Sequence, residues 1–217
     1  MTPAQIRAQP LGDSTVTISF GAERSPELLR RIQASGHLLA DSGIPAVEDV
    51  VPAYLALTVF YDSLQVAYDE MAKRLLAELA RADAAQKVIQ PRQHVIDVTY
   101  DGVDLDAVAS ACGLSRSEVV DIHAGRDYSV DILGFVPGWA YLSELDPRLQ
   151  LPRRPQPRPR VAGGSIAIAA AQTGVYPLDT PGGWHIIGRT SAVMFDARRD
   201  PAALLAPGDT VRFRPLK

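Results

Sequence analysis

The sequence predicts an α+β protein in two parts, and two observations carry that expectation. Elements over residues 1–100 follow the order β-α-β-β-α-β, and from Tyr128 onward the texture changes to short strands punctuated by Gly and Pro. The first order is that of a ferredoxin-like α/β sandwich, expected at residues 1–100. The second texture suits a small β barrel or sandwich, which with a preceding helical hairpin fills residues 101–217. With 47% apolar residues in 217, the chain can bury a core in each part.

Taken in order, Thr15 to Phe20 alternates Val16, Ile18 and Phe20 with Thr15, Thr17 and Ser19, the period of a half-buried strand. Ser25-Pro26-Glu27 starts a helix whose apolar stripe is Leu28, Leu29, Ile32 and Leu39, ending before Gly43. Val47 to Val51 and Tyr54 to Phe60 read as strands split at Pro52, Leu64 to Leu79 as an amphipathic helix, and Gln93 to Tyr100 as a strand. Asp104 is placed to cap a short helix through Cys112, stopped by Gly113. Ser115 and Glu118 form a capping box for a second helix, through His123. This hairpin has the look of a DNA-binding helix-turn-helix, yet it sets Asp104, Asp106, Glu118 and Asp121 against Arg116, the wrong sign for phosphate contact. In the second part, Ile166 to Ala171, Trp184 to Thr190, Ser191 to Phe195 and Thr210 to Phe213 read as strands. Leu151 to Arg160, with four prolines, reads as an extended surface strap.

Composition narrows the function. One cysteine, Cys112, excludes an internal disulfide framework and favours a reducing, cytoplasmic setting. No segment approaches the ~20 apolar residues of a membrane helix. The net charge of −3 divides into −7 over residues 1–127 and +4 over 128–217, which suits either an anionic ligand or acidic partner at the second part or the attraction of the two parts for each other. There is no GxxxxGK[ST] phosphate loop, GxSxG elbow or HExxH motif. His37, His94, His123 and His185 lack metal-ligand spacing, Cys112 reads as a small helix-end thiol, and Ser165 reads as a turn hydroxyl at a strand entrance.

The densest signal is Gln172 to Thr190, QTGVYPLDTPGGWHIIGRT, where Pro181-Gly182-Gly183 reads as a turn leading into a strand. A shaped binding loop is expected there. Tyr141, Tyr176 and Trp184 could wall a planar ligand or fill a core. Arg189 offers a planar fork for an anion, or a salt bridge to Asp179 or Asp196. His123 either faces the loop at 134–142 or satisfies helix-end carbonyls.

Two stretches carry a resemblance. GFVPGWAYL at 134–142 is similar to GFxPGFxYL, and GGSIAIAAAQTGVYPLDTPGGWHIIGRT at 163–190 to AGSxxIAGxQTGIYPxxSPGGWxxIGRT. Both motifs belong to the family of the bacterial ATP-dependent 5-oxoprolinase B subunit, the sporulation-kinase inhibitor and allophanate hydrolase subunit 1. Together with Leu145-Asp146, Pro152-Arg153, Phe195-Asp196 and Pro207-Gly208-Asp209, the resemblance covers most of residues 104–217, with Trp139-Ala140 in place of a usual Phe-Pro.

The resemblance implies a cyclophilin-like barrel and two partners, a homologous C subunit and a separate A subunit. It also implies ATP with Mg, at a site shared with or located on a partner. Phosphorylating the carbonyl oxygen of a resonance-stabilised lactam creates a group that water can displace, opening 5-oxoproline to glutamate. On this expectation Arg189 supplies charge and His123 transfers a proton. Phe135, Pro137, Gly138, Tyr141, Gln172, Thr173, Tyr176, Pro181, Gly182, Gly183 and Trp184 form the substrate-binding set. A non-catalytic inhibitor of a histidine kinase and a carboxyltransferase component of urea metabolism stand as alternatives.

Overall fold

A computed structural model describes residues 6–23, 25–83 and 92–216. The chain divides into two compact units, residues 1–90 and 91–217.

In the first unit, β1 (Arg7–Pro10), β2 (Thr15–Ser19), β3 (Val47–Pro52) and β4 (Ala56–Tyr61) form an antiparallel sheet in the order β1-β2-β4-β3. Alternation decides which face is buried: Val16, Ile18, Leu57, Val59 and Tyr61 enter a core completed by Ile32 and Leu39 of α1 (Pro26–Asp41) and by Met71, Leu75 and Leu79 of α2 (Tyr68–Asp83). The α1 start is the expected one, with Ser25 Oγ accepting from Leu28 N at 3.0 Å. The α2 start is later than expected, because Asp62 Oδ1 accepts from Leu64 N and holds those residues in a turn, leaving Leu64 exposed.

The expected βαββαβ sheet is not what forms. Its last strand, β5 (Gln93–Val98), belongs to the second unit, and the fourth strand of the first sheet is β1, for which the sequence shows little apolar alternation. The reason lies in partners far along the chain. β5 runs parallel to β13 (Thr210–Pro215) through six register pairs, burying Ile96 and Val98. Asp209 takes hydrogen bonds from Arg92 N and from the His94 ring.

The second unit contains the hairpin α3 (Leu105–Cys112) and α4 (Arg116–Ala124), then β6 (Asp127–Leu133), β7 (Ala140–Ser143), β8 (Arg158–Val161), β9 (Ser165–Ala169), β10 (Gln172–Val175), β11 (Thr180–Gly182) and β12 (His185–Arg189). Seven strands make one sheet in the order β12-β9-β10-β7-β6-β13-β5. Its two edges meet where Thr99 and Arg189 exchange backbone hydrogen bonds of 2.9 and 2.8 Å, so the sheet nearly closes into a barrel. The α4 capping box is formed as expected, whereas Asp104 makes no side-chain cap and uses its carboxylate elsewhere.

Three further differences touch the site. Ser191 to Phe195 is a loop apart from one bridge, Phe195 to Ala203, and Arg199 donates to Val193 O there. The end of the proline-rich run is strand β8, which pairs with β11 in a separate two-stranded ladder. Pro181 therefore sits within a short strand instead of a turn, at a register shift where its missing N–H leaves no gap in the ladder. No described helix is long and apolar enough to cross a membrane.

Candidate functional site

An aromatic cavity of about 180 Å³ opens in the second unit. The loop after β6 brings Phe135, β7 brings Tyr141, and the turn into β12 brings Trp184 beside Pro181, Gly182 and Gly183. Tyr176 and Trp139 form the floor, with Trp139 making edge contacts to Tyr176 at 4.6 Å and to Trp184 at 5.0 Å between ring centroids. Such edge-to-face contacts set the positive rim of one ring against the negative face of the next, which fixes their mutual angles. Phe135 is different: it is 60% exposed, and its backbone lies at φ 67°, a costly region for a bulky side chain.

Two glycines make this packing possible. A Cβ on Gly182 would stand 2.1 Å from the Tyr176 hydroxyl. Gly138, at φ 80°, would place one 2.6 Å from Phe195 Cβ. Burial raises the Tyr176 pKa, while the Trp184 backbone N–H and the charges of Arg153 and Arg158 offset only part of that. Tyr176 therefore stays a neutral phenol.

The strap from residue 151 to 160 is stitched to the turn. Arg154 N donates to Gly183 O at 2.8 Å, and the His185 ring nitrogen Nε2 donates to Pro152 O at 2.8 Å. Beneath them Asp104, 4% exposed, accepts from Arg154, from both terminal nitrogens of Arg158 and from Ile186 N. Burial alone would raise the Asp104 pKa, but the Arg158 and Ile186 hydrogen bonds and the two guanidinium charges outweigh it and hold the carboxyl below its usual range. This clamp sets Arg153 and Pro157 against the cavity, and neither is expected there from the sequence. Their position cannot be read from spacing, since it depends on an aspartate some fifty residues upstream.

The remaining expected site residues lie elsewhere. Pro137 and Gly138 shape the loop that carries Phe135, and Gln172 and Thr173 lie on β10, paired with β7 and β9. Arg189 is on the exposed end of β12 and pairs at 2.9 Å with Asp101, a partner different from the Asp179 or Asp196 weighed in the sequence. Asp179 instead holds Arg160 and Gly163 N, and Asp196 holds Arg198.

His123 is 0% exposed and does not reach the cavity. Thr173 Oγ1 donates to Ala167 O at 3.0 Å and so accepts from His123 Nε2–H at 2.8 Å. Nδ1 is left to accept the Tyr100 hydroxyl at 2.7 Å, and the ring stacks on Phe213 at 4.7 Å. Burial pushes its pKa down from 6.5 to about 3. A neutral ring with both nitrogens occupied braces α4 against β10 and has no free position for a substrate proton.

Among the described residues no group of three or more His, Cys, Asp or Glu side chains could hold a metal ion.

Comparison with known proteins agrees along the chain. Residues 6–205 match the family described as carboxyltransferase domain, subdomain C and D. The chain is 37% identical to the 5-oxoprolinase B subunit of Bacillus subtilis (strain 168), over 94% of this chain and 90% of that one. It is 38% identical to the 5-oxoprolinase B subunit of Escherichia coli O157:H7, over 97% and 96%. The crystal structure of TTHA0988 superposes with a TM-score of 0.82 at 38% identity, covering 94% of this chain and 39% of that longer one.

Proposed function

We propose, since this chain belongs to the family of the carboxyltransferase domain, subdomain C and D, that it is the B subunit of a multi-subunit ATP-dependent 5-oxoprolinase. Working with C and A subunits in the cytoplasm, it opens the lactam of 5-oxoproline to glutamate. The observation that carries this reading is identity of 37% and 38% to two proteins named as 5-oxoprolinase B subunits, across at least nine-tenths of both partners in each pair. The barrel of the second unit is read as cyclophilin-like.

The cavity supports a small substrate. Its volume of about 180 Å³ equals roughly six waters at ~30 Å³ each, room for a five-membered ring and below the range of pockets that bury drug-sized ligands. Tyr141 and Trp184 wall the ring, Phe135 stands at the mouth, and the aromatic lining keeps water from the amide. The lining includes no carboxylate, so these residues do not fit a magnesium-bound triphosphate. ATP and Mg are assigned to a site on, or completed by, a partner subunit. His123 is a positioning residue in this reading.

The test is co-expression with candidate C and A subunits, followed by glutamate formation and ATP hydrolysis with and without 5-oxoproline. Turnover that requires ATP and this chain is expected. Full turnover by the C and A subunits without it would overturn the assignment.

A further inference from the structure

We propose that Arg153 is the carboxylate anchor of the aromatic cavity, so that the site takes a small planar ring bearing one carboxylate. The inference deepens the reading above and rests on it only for the identity of the ring. Its basis is a contrast among arginines. Arg92, Arg116, Arg126, Arg148, Arg154, Arg158, Arg160, Arg189, Arg198, Arg212 and Arg214 each pair with an aspartate, and Arg199 donates to carbonyl oxygens. Among the described residues of the second unit, Arg153 alone has neither kind of partner, and it is the one arginine on the cavity lining.

Its backbone is nonetheless fixed. Pro152 O and Arg154 N, on either side of it, are bonded to His185 and Gly183. The anchored backbone keeps the side chain beside the mouth of the aromatic slot, and the planar guanidinium fork matches a carboxylate bidentately better than a diffuse anion. Stacking from Trp184 and Tyr141 then selects a flat ring, and the volume limits it to a single small one.

The chain's two tryptophans, Trp139 and Trp184, both line the cavity, so intrinsic fluorescence reports its occupancy. Wild type, Arg153→Ala and Arg153→Lys are titrated with 5-oxoproline, 2-pyrrolidinone and benzoate. The titrations use the full chain alone and in complex with its co-purified partner subunits. Thermal unfolding of each variant checks that the fold is kept, as expected for an exposed side chain that no aspartate or carbonyl oxygen holds.

Saturable binding of 5-oxoproline is expected, weakened at least about tenfold by Arg153→Ala and less by Arg153→Lys, with 2-pyrrolidinone binding no better to wild type than to either variant. Arginine-dependent binding of benzoate without binding of 5-oxoproline would support the anchor and overturn 5-oxoproline as the ring. Unchanged affinity of 5-oxoproline for Arg153→Ala would overturn the anchor and leave the oxoprolinase reading standing. Absence of binding by all three compounds, in both the free chain and the complex, would also overturn the anchor.

Discussion

His123 illustrates how a residue that looks catalytic in sequence becomes structural through its surroundings. Its neutral ring is worth more to the fold than to a reaction, because burial opposes charge in the native state and not in the unfolded chain. Between pH 6.5 and about 3 the unfolded chain binds a proton there that the native protein does not. The stabilisation is therefore fully present above pH 6.5 and is lost as pH falls, by up to about 1.4 kcal/mol per pH unit. From pH 6.5 to 5, urea unfolding of the wild type should lose about 2 kcal/mol through this group. His123→Gln, less stable at pH 7, should show a flatter profile over that window. Equal slopes would mean that His123 is not held neutral.

At the scale of elements, the strap and the β11–β12 turn behave as one piece because Asp104 holds both. Asp104→Ala leaves Arg154 and Arg158 without their shared carboxylate and Ile186 N without its acceptor. The loss should be on the order of 3 kcal/mol, toward the lower end for a broken buried pair because both arginines keep some contact with water. Trypsin should then cut the Arg153–Arg154 bond faster, since the other arginine bonds inside the strap precede proline. Denaturant titration and timed proteolysis read the two effects separately. A destabilised variant with an unchanged cleavage rate would show that the strap is held by its backbone bonds to Gly183 and His185 alone. The sequence made Asp104 a helix cap, a local role for which aspartate is well suited. The structure turns the same carboxylate to charges about fifty residues downstream, where the hydrogen bonds it accepts are charge-assisted at both ends and stronger than a cap.

For the whole molecule, the decisive element is β5. Parallel pairing with β13 and the Thr99 to Arg189 bridge make residues 93–99 the piece that nearly closes the barrel. A fragment of residues 92–217 should therefore fold and unfold cooperatively by far-UV circular dichroism and elute as a compact species. A fragment of residues 102–217 should aggregate, because it bares the full edge of β13. Equal behaviour of the two would remove β5 from the barrel's folding unit.

What the sequence by itself determined were the properties that depend on near neighbours. Ser25 with Pro26 set one helix start, Ser115 with Glu118 another, and alternation at Thr15 to Ser19 set a strand; each is decided within a few residues by caps, turns and side-chain period. The motifs at 134–142 and 163–190 likewise marked the aromatic part of the cavity, because a high density of Gly, Pro and aromatic residues is itself local. Only the tertiary structure decided what depends on distant partners. It moved β5 to the barrel, gave β1 its place in the first sheet, enclosed His123, paired Arg189 with Asp101 and brought Arg153 to the cavity. The physical reason is the same in each case: burial and charge pairing are settled by groups brought together from afar, and linear spacing carries no record of which aspartate an arginine will meet.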